Sequence, residues 1–123
     1  MATPILKQGD VLIASLQPEL TDGDLALLRD QLAGRVGSAR AKGVVLDVSA
    51  LDVVDSFAAR TLRAIAHIAE LRGAATVIVG IQPEVAFSMV QLGITLEDVS
   101  TALDLEEGLA LLNAQRSSIG GCT

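Results

Sequence analysis

Three short aliphatic runs, at residues 11–17, 44–48 and 75–81, are separated by stretches long enough to be helices. That alternation constrains the fold more than any other feature of the chain. The run at 44–48, VVLDV, is almost continuously aliphatic, as in a strand covered on both faces. Ahead of it, Leu25, Leu28, Leu32 and Val36 recur at three- and four-residue steps. They form one stripe of a helix that starts at Thr21 or Asp22 and runs to about Ala39. A second helix is predicted from Ser56 to about Leu71, with Leu62, Ile65 and Ala69 as its core stripe and Arg72-Gly73 as its stop. Pro83 suits the first turn of a third helix through Val85, Ala86, Met89 and Val90, with Gly93 as its C-terminal cap. After a short extended piece at 95–102, Asp104 and Glu107 have capping-box spacing and open a last helix on Leu105, Leu109 and Leu112. At the other end, Ile5-Leu6-Lys7 and residues 11–17 flank Gly9-Asp10 as the arms of a hairpin.

The order β-β-α-β-α-β-α-β-α gives an α/β fold. One mixed sheet of four to five strands carries four helices; the hairpin is antiparallel, and the other strands are parallel with right-handed crossovers. One domain is expected over residues 1–114, followed by a flexible tail over 115–123. Of the 123 residues half are hydrophobic, yet aromatics are 2% and Trp and Tyr are absent. The core must therefore be Leu, Val, Ile and Ala.

The net charge of −6 and nine scattered Lys and Arg argue against nucleic acid and against anionic membrane surfaces. The single cysteine, Cys122, has no internal partner, so a reducing, cytoplasmic setting is expected. No signal peptide is expected from residues 1–10, and no window approaches the roughly 20 apolar residues of a membrane span.

Most site chemistry fails on residue supply. No Gly-rich phosphate loop is present, and one histidine with one terminal cysteine makes no zinc site, so no metal or cofactor is expected. His67 is read as a solvated or rim side chain that could pair with Glu70 or Arg63. A serine–histidine catalytic pair would need Ser56 and His67, which lie roughly 16 Å apart along one helix. Asp47, at a strand end, resembles the acceptor of phosphorelay receiver domains. The acidic pair and late lysine of those domains are missing, so Asp47 is expected to bond loop backbone instead. What remains is Ser56, at a helix start beside Asp55 and near Asp52. Its hydroxyl can cap the helix, or it can carry a phosphate, favoured by the helix dipole and opposed by the two carboxylates. The two roles are compatible.

The stretch VVLDVSALDVVDSFAARTL, residues 44–62, resembles the signature of STAS domains: a strand, an acidic loop, and Asp-Ser at the start of the second helix. The later GIQPEVAFSMVQLGITLEDVSTALDLEEGLALL, residues 80–112, is similar to the stressosome branch, of the small RsbS type. The similarity runs from Pro4 to about Asn113. It implies that Ser56 is phosphorylated by an RsbT-type switch serine kinase, and that Ser88 matches a second phosphorylation position. It also implies that Asp52, Asp55 and Phe57 belong to the kinase-facing surface, and that RsbR-type STAS paralogues with sensory domains co-assemble with the chain. The implied role is non-enzymatic: a large assembly sequesters the kinase and phosphorylation releases it. The alternative is a stand-alone anti-sigma factor antagonist that binds one anti-sigma kinase in a small complex.

Overall fold

The computed structural model describes residues 3–96 and 98–121. Its elements follow the expected order: β1 (Ile5–Gln8), β2 (Val11–Ser15), α1 (Asp22–Ser38), β3 (Gly43–Asp47), α2 (Ser56–Leu71), β4 (Ala75–Val79), α3 (Pro83–Gln91), β5 (Ser100–Ala102) and α4 (Leu105–Gly121). The strands form one sheet in chain order, with β1 antiparallel to β2 and every later pair parallel.

Neighbouring strands in sequential order, joined by crossovers of one hand, put all connecting helices on one face. Accordingly α1, α2 and α3 pack on the face carrying Leu12, Ala14, Val44, Leu46 and Ile78. The opposite face, with Val11, Ile13, Val45, Val77 and Val79, is covered by α4 through Leu105, Leu109 and Leu112. The central strand β3 is sealed on both sides: Val44, Val45 and Leu46 are each 0% exposed. Pleat alternation sends these neighbours to opposite faces, so both layers are needed to bury them.

Local chemistry fixes the helix ends. Thr21 caps α1 in a full capping box: its hydroxyl accepts from the Asp24 N–H (3.1 Å) and its own N–H donates to the Asp24 carboxylate (3.0 Å). That donated bond holds the Asp24 carboxyl below the usual range. The four expected stripe residues of α1 are its buried ones. Arg40 follows in the left-handed region (φ 50°), an uncommon place for a side chain, while the Ala41 N–H returns to the Val36 carbonyl. Asp104 caps α4 by accepting from the Glu107 N–H (2.8 Å), and the Glu107 carboxylate reaches back to the Leu103 N–H.

The helix α4 continues through Gly121, past residue 115, where its apolar spacing ends and the sequence suggests a flexible tail. No proline interrupts this stretch, and the Gln115 amide donates to the Ser100 hydroxyl at 3.3 Å. Cys122 lies outside the described residues. Among the described residues, no helix is long and apolar enough to cross a membrane.

Candidate functional site

The loop between β3 and α2 is short, and its two ends are tightly held. Asp47, the last residue of β3, accepts the Ser49 N–H at 2.9 Å, the backbone role expected of it. The Leu51 N–H closes a turn on the Val48 carbonyl (3.0 Å), and the side chains of Leu51 and Val54 sink into the core. Asp52, Val53, Asp55 and Ser56 are thereby left on the surface, with Val53 68% exposed.

Here the structure corrects the sequence reading. Asp55, not Ser56, is the N-cap of α2: its backbone is extended and its carboxylate accepts the Ala58 N–H at 2.8 Å. Both residue types are good caps, so adjacency in sequence left the choice open. Ser56 is the first helical residue, exposed, and its hydroxyl has no hydrogen-bond partner among the described residues. Asp55→Ala is expected to cost about 1 kcal/mol in urea denaturation. Ser56→Ala should stay within about 0.5 kcal/mol of the parent. Equal losses for the two variants would return the capping role to Ser56.

A cleft of about 220 Å³ lies alongside, walled on one side by Asp52, Val53 and Asp55 and on the other by Gln17 and Pro18 of the β2–α1 connection and Asp22, the first residue of α1. Three of these walls are carboxylates, and no Lys, Arg or His lines the cleft. Such a surface does not attract a phosphate-bearing small molecule, since nothing in it would neutralise the anion. On the loop's other flank, the Gln82 amide donates to the Ser49 carbonyl at 2.7 Å. Gln17, Pro18, Asp22, Ser49 and Gln82 were not singled out as site residues from the sequence. Only the fold brings them to this loop.

Phe57 is half-buried and packs against the core, with its carbonyl accepting the Thr61 hydroxyl. Ser88 is half-buried on α3, beside Pro83, Glu84, Phe87 and Gln91, on a different helix from Ser56. His67, at the other end of α2 from Ser56, faces neither Glu70 nor Arg63 as its closest charge. Asp98, from the segment before β5, stands between it (3.9 Å) and Arg63 (3.6 Å). No cluster of three or more potential metal ligands occurs among the described residues.

The STAS domain family matches residues 3–108 of the chain. The chain belongs to the STAS domain family. This STAS domain is 32% identical over 82 residues to the RsbT co-antagonist protein RsbRA of Bacillus subtilis, a match covering 67% of the chain and 30% of that protein. The chain thus spans about a third or less of the length of the curated relatives it matches. Among solved structures, a serine-to-glutamate variant of RsbS from Moorella thermoacetica superposes with a TM-score of 0.81 at 36% identity, covering 94% of this chain and 97% of that one. A chain from a structure of the stressosome, described as a signal integration and transduction hub, gives 0.78 at 37% identity, covering 92% and 98%. The resemblance to the stressosome branch holds across nearly the whole domain.

Proposed function

We propose that this STAS domain is a scaffold of a stressosome-type signalling assembly that holds a switch serine kinase of the RsbT type and releases it when Ser56 is phosphorylated. The observation that carries the reading is the division of labour at the start of α2. Asp55 caps the helix through the Ala58 N–H, and the Ser56 hydroxyl stands exposed and unbonded beside it. Similarity to RsbS and to the RsbT co-antagonist RsbRA supplies the partner classes: the kinase and RsbR-type paralogues with sensory domains. The protein is then a phosphate acceptor and not a catalyst, and it works in the cytoplasm where ATP-dependent kinases act.

In the transfer, the Ser56 Oγ attacks the γ-phosphorus of kinase-bound ATP. The bond from that phosphorus to the bridging oxygen breaks, ADP leaves, and the hydroxyl proton passes to a base of the kinase. The product carries roughly −1.5 to −2 additional charges, on a surface where Asp22, Asp52 and Asp55 already converge. A kinase surface fitted to the unmodified loop then meets a bulky dianion at the centre of the contact. Assembly with other STAS chains needs apolar surface, and Phe87, Val90, Leu92 and Leu103, each 68–79% exposed, supply it.

The test is incubation with the kinase and ATP, followed by mapping of the phosphate. Phosphate on Ser56 is expected, with Ser88 a second acceptor in the same digest. Ser56→Ala should keep the kinase bound, and Ser56→Asp should bind it less well. A wild-type protein that takes no phosphate on Ser56 removes the switch. Gel filtration with an RsbR-type partner should give a very large particle; a one-to-one kinase complex alone would favour the stand-alone antagonist instead.

A further inference from the structure

We infer that the segment Gly80-Ile81-Gln82-Pro83 is a brace that shapes the acidic loop in front of Ser56, with Gln82 the positioning residue through which a kinase's recognition of that loop is set. The inference rests on the reading of Ser56 as a phosphate acceptor, and it adds a role for a segment outside the acceptor loop itself.

Strands β3 and β4 leave the sheet side by side, with Asp47 opposite Val79 and the Val48 N–H on the Val79 carbonyl (3.0 Å). Their continuations then diverge, one towards α2 and the other towards α3. Gly80 sits at the fork with φ +81°. A Cβ there would lie 2.7 Å from Ser49 Cβ and 3.1 Å from Ser49 Cα, so only glycine lets the two backbones run this close. Ile81 packs against the core. Pro83 begins α3, whose Val85 and Met89 are buried, so the segment is fixed from both ends.

Gln82 occupies the N-cap position of α3, yet its side chain makes no capping bond. Its amide instead crosses to the neighbouring loop and donates to the Ser49 carbonyl at 2.7 Å. Ser49 therefore has both backbone groups held, the N–H by the Asp47 carboxylate and the carbonyl by Gln82. Between this anchor and the Asp55 cap, Leu51 and Val54 are docked in the core, and Asp52 and Val53 form the exposed tip. Two separate devices thus set two separate things. The cap and the helix place the Ser56 hydroxyl, and the brace places the tip that a partner reads before any chemistry occurs. Weakening the brace should therefore raise KM for the kinase and leave kcat alone, since a loosened tip weakens docking without moving the acceptor.

The decisive variant is Gln82→Glu, which keeps size and shape but replaces the donor with a carboxylate facing the Ser49 carbonyl; Gln82→Met removes the donor without adding charge. In the full-length protein, amide hydrogen exchange at residues 49–53 is expected to quicken by roughly three- to tenfold in both variants, with Tm unchanged within about 2 °C. With the kinase and ATP, KM should rise roughly three- to tenfold and kcat stay within about twofold. Unchanged exchange at 49–53 overturns the brace. Quickened exchange with unchanged KM, or with kcat falling in step, overturns the recognition role. If wild-type protein takes no phosphate on Ser56, the acceptor reading has failed by itself, and the exchange measurement still decides the brace.

Discussion

Gly108→Leu is expected to lower stability by about 2–3 kcal/mol and Tm by roughly 8 °C. Among the described residues α4 alone covers the second face of the sheet, and it does so at close range. A Cβ at Gly108 would lie 2.5 Å from Val79 Cγ1 and 3.3 Å from Val77 Cγ1. Neither valine can retreat, because Val77 and Val79 are 0% and 1% exposed and locked in β4. The helix would have to lift, uncovering the sheet around Leu112. Leucine is the better helix former by roughly 0.8 kcal/mol, which offsets only part of this cost. Urea and thermal denaturation measure the outcome. A loss below about 1 kcal/mol would mean that α4 docks on the sheet more loosely than the contact distances require.

Gly80→Ala is expected to cost about 2 kcal/mol, roughly twice the cost of Gly73→Ala. Both glycines have positive φ, +81° and +90°, so alanine meets comparable backbone strain at each. They differ in surroundings. A Cβ at Gly73 meets nothing within 4 Å, whereas at Gly80 it meets the Ser49 backbone. The difference between the two losses, read by urea denaturation, isolates the contact between the β4–α3 turn and the loop that leads to Ser56. Equal losses would mean that Ser49 yields without resistance. The Gly80 variant should also show faster amide exchange over residues 49–53, and the Gly73 variant should not.

The fold was legible because its signals are local and agree with one another. The stripe of Leu25, Leu28, Leu32 and Val36 is the buried face of α1, and Leu62, Ile65 and Ala69 lie on that of α2. Chain order alone then settles the sheet, since every strand neighbours its predecessor. The site was legible only in part. Asp55 and Ser56 are both competent caps and adjacent, and nothing in their spacing says which carboxylate or hydroxyl turns inward. Asp98 could not be matched to His67 and Arg63, because that contact is made across the gap between α2 and the segment entering β5. Gln82 was hidden for a similar reason: its partner Ser49 is 33 residues away, and a glutamine before Pro83 looks like an ordinary approach to a helix. Sequence periodicity reports burial well. It does not report which distant backbone group a surface amide will find.

The placement of the cap has a consequence for how the protein is kept in supply. Under the proposed function, a phosphate on Ser56 would sit at a helix end where Asp55 already holds the Ala58 N–H. The favourable dipole of that end and the repulsion from Asp52 and Asp55 would pull in opposite directions. To the extent that these two terms offset each other, folding stability is the same with and without the mark. Degradation in a cell follows the fraction of chain that is unfolded, so marked and unmarked copies would be turned over at the same rate. The number of assembled copies would remain constant while their signalling state changes, and protein lifetime would add no bias to the switch.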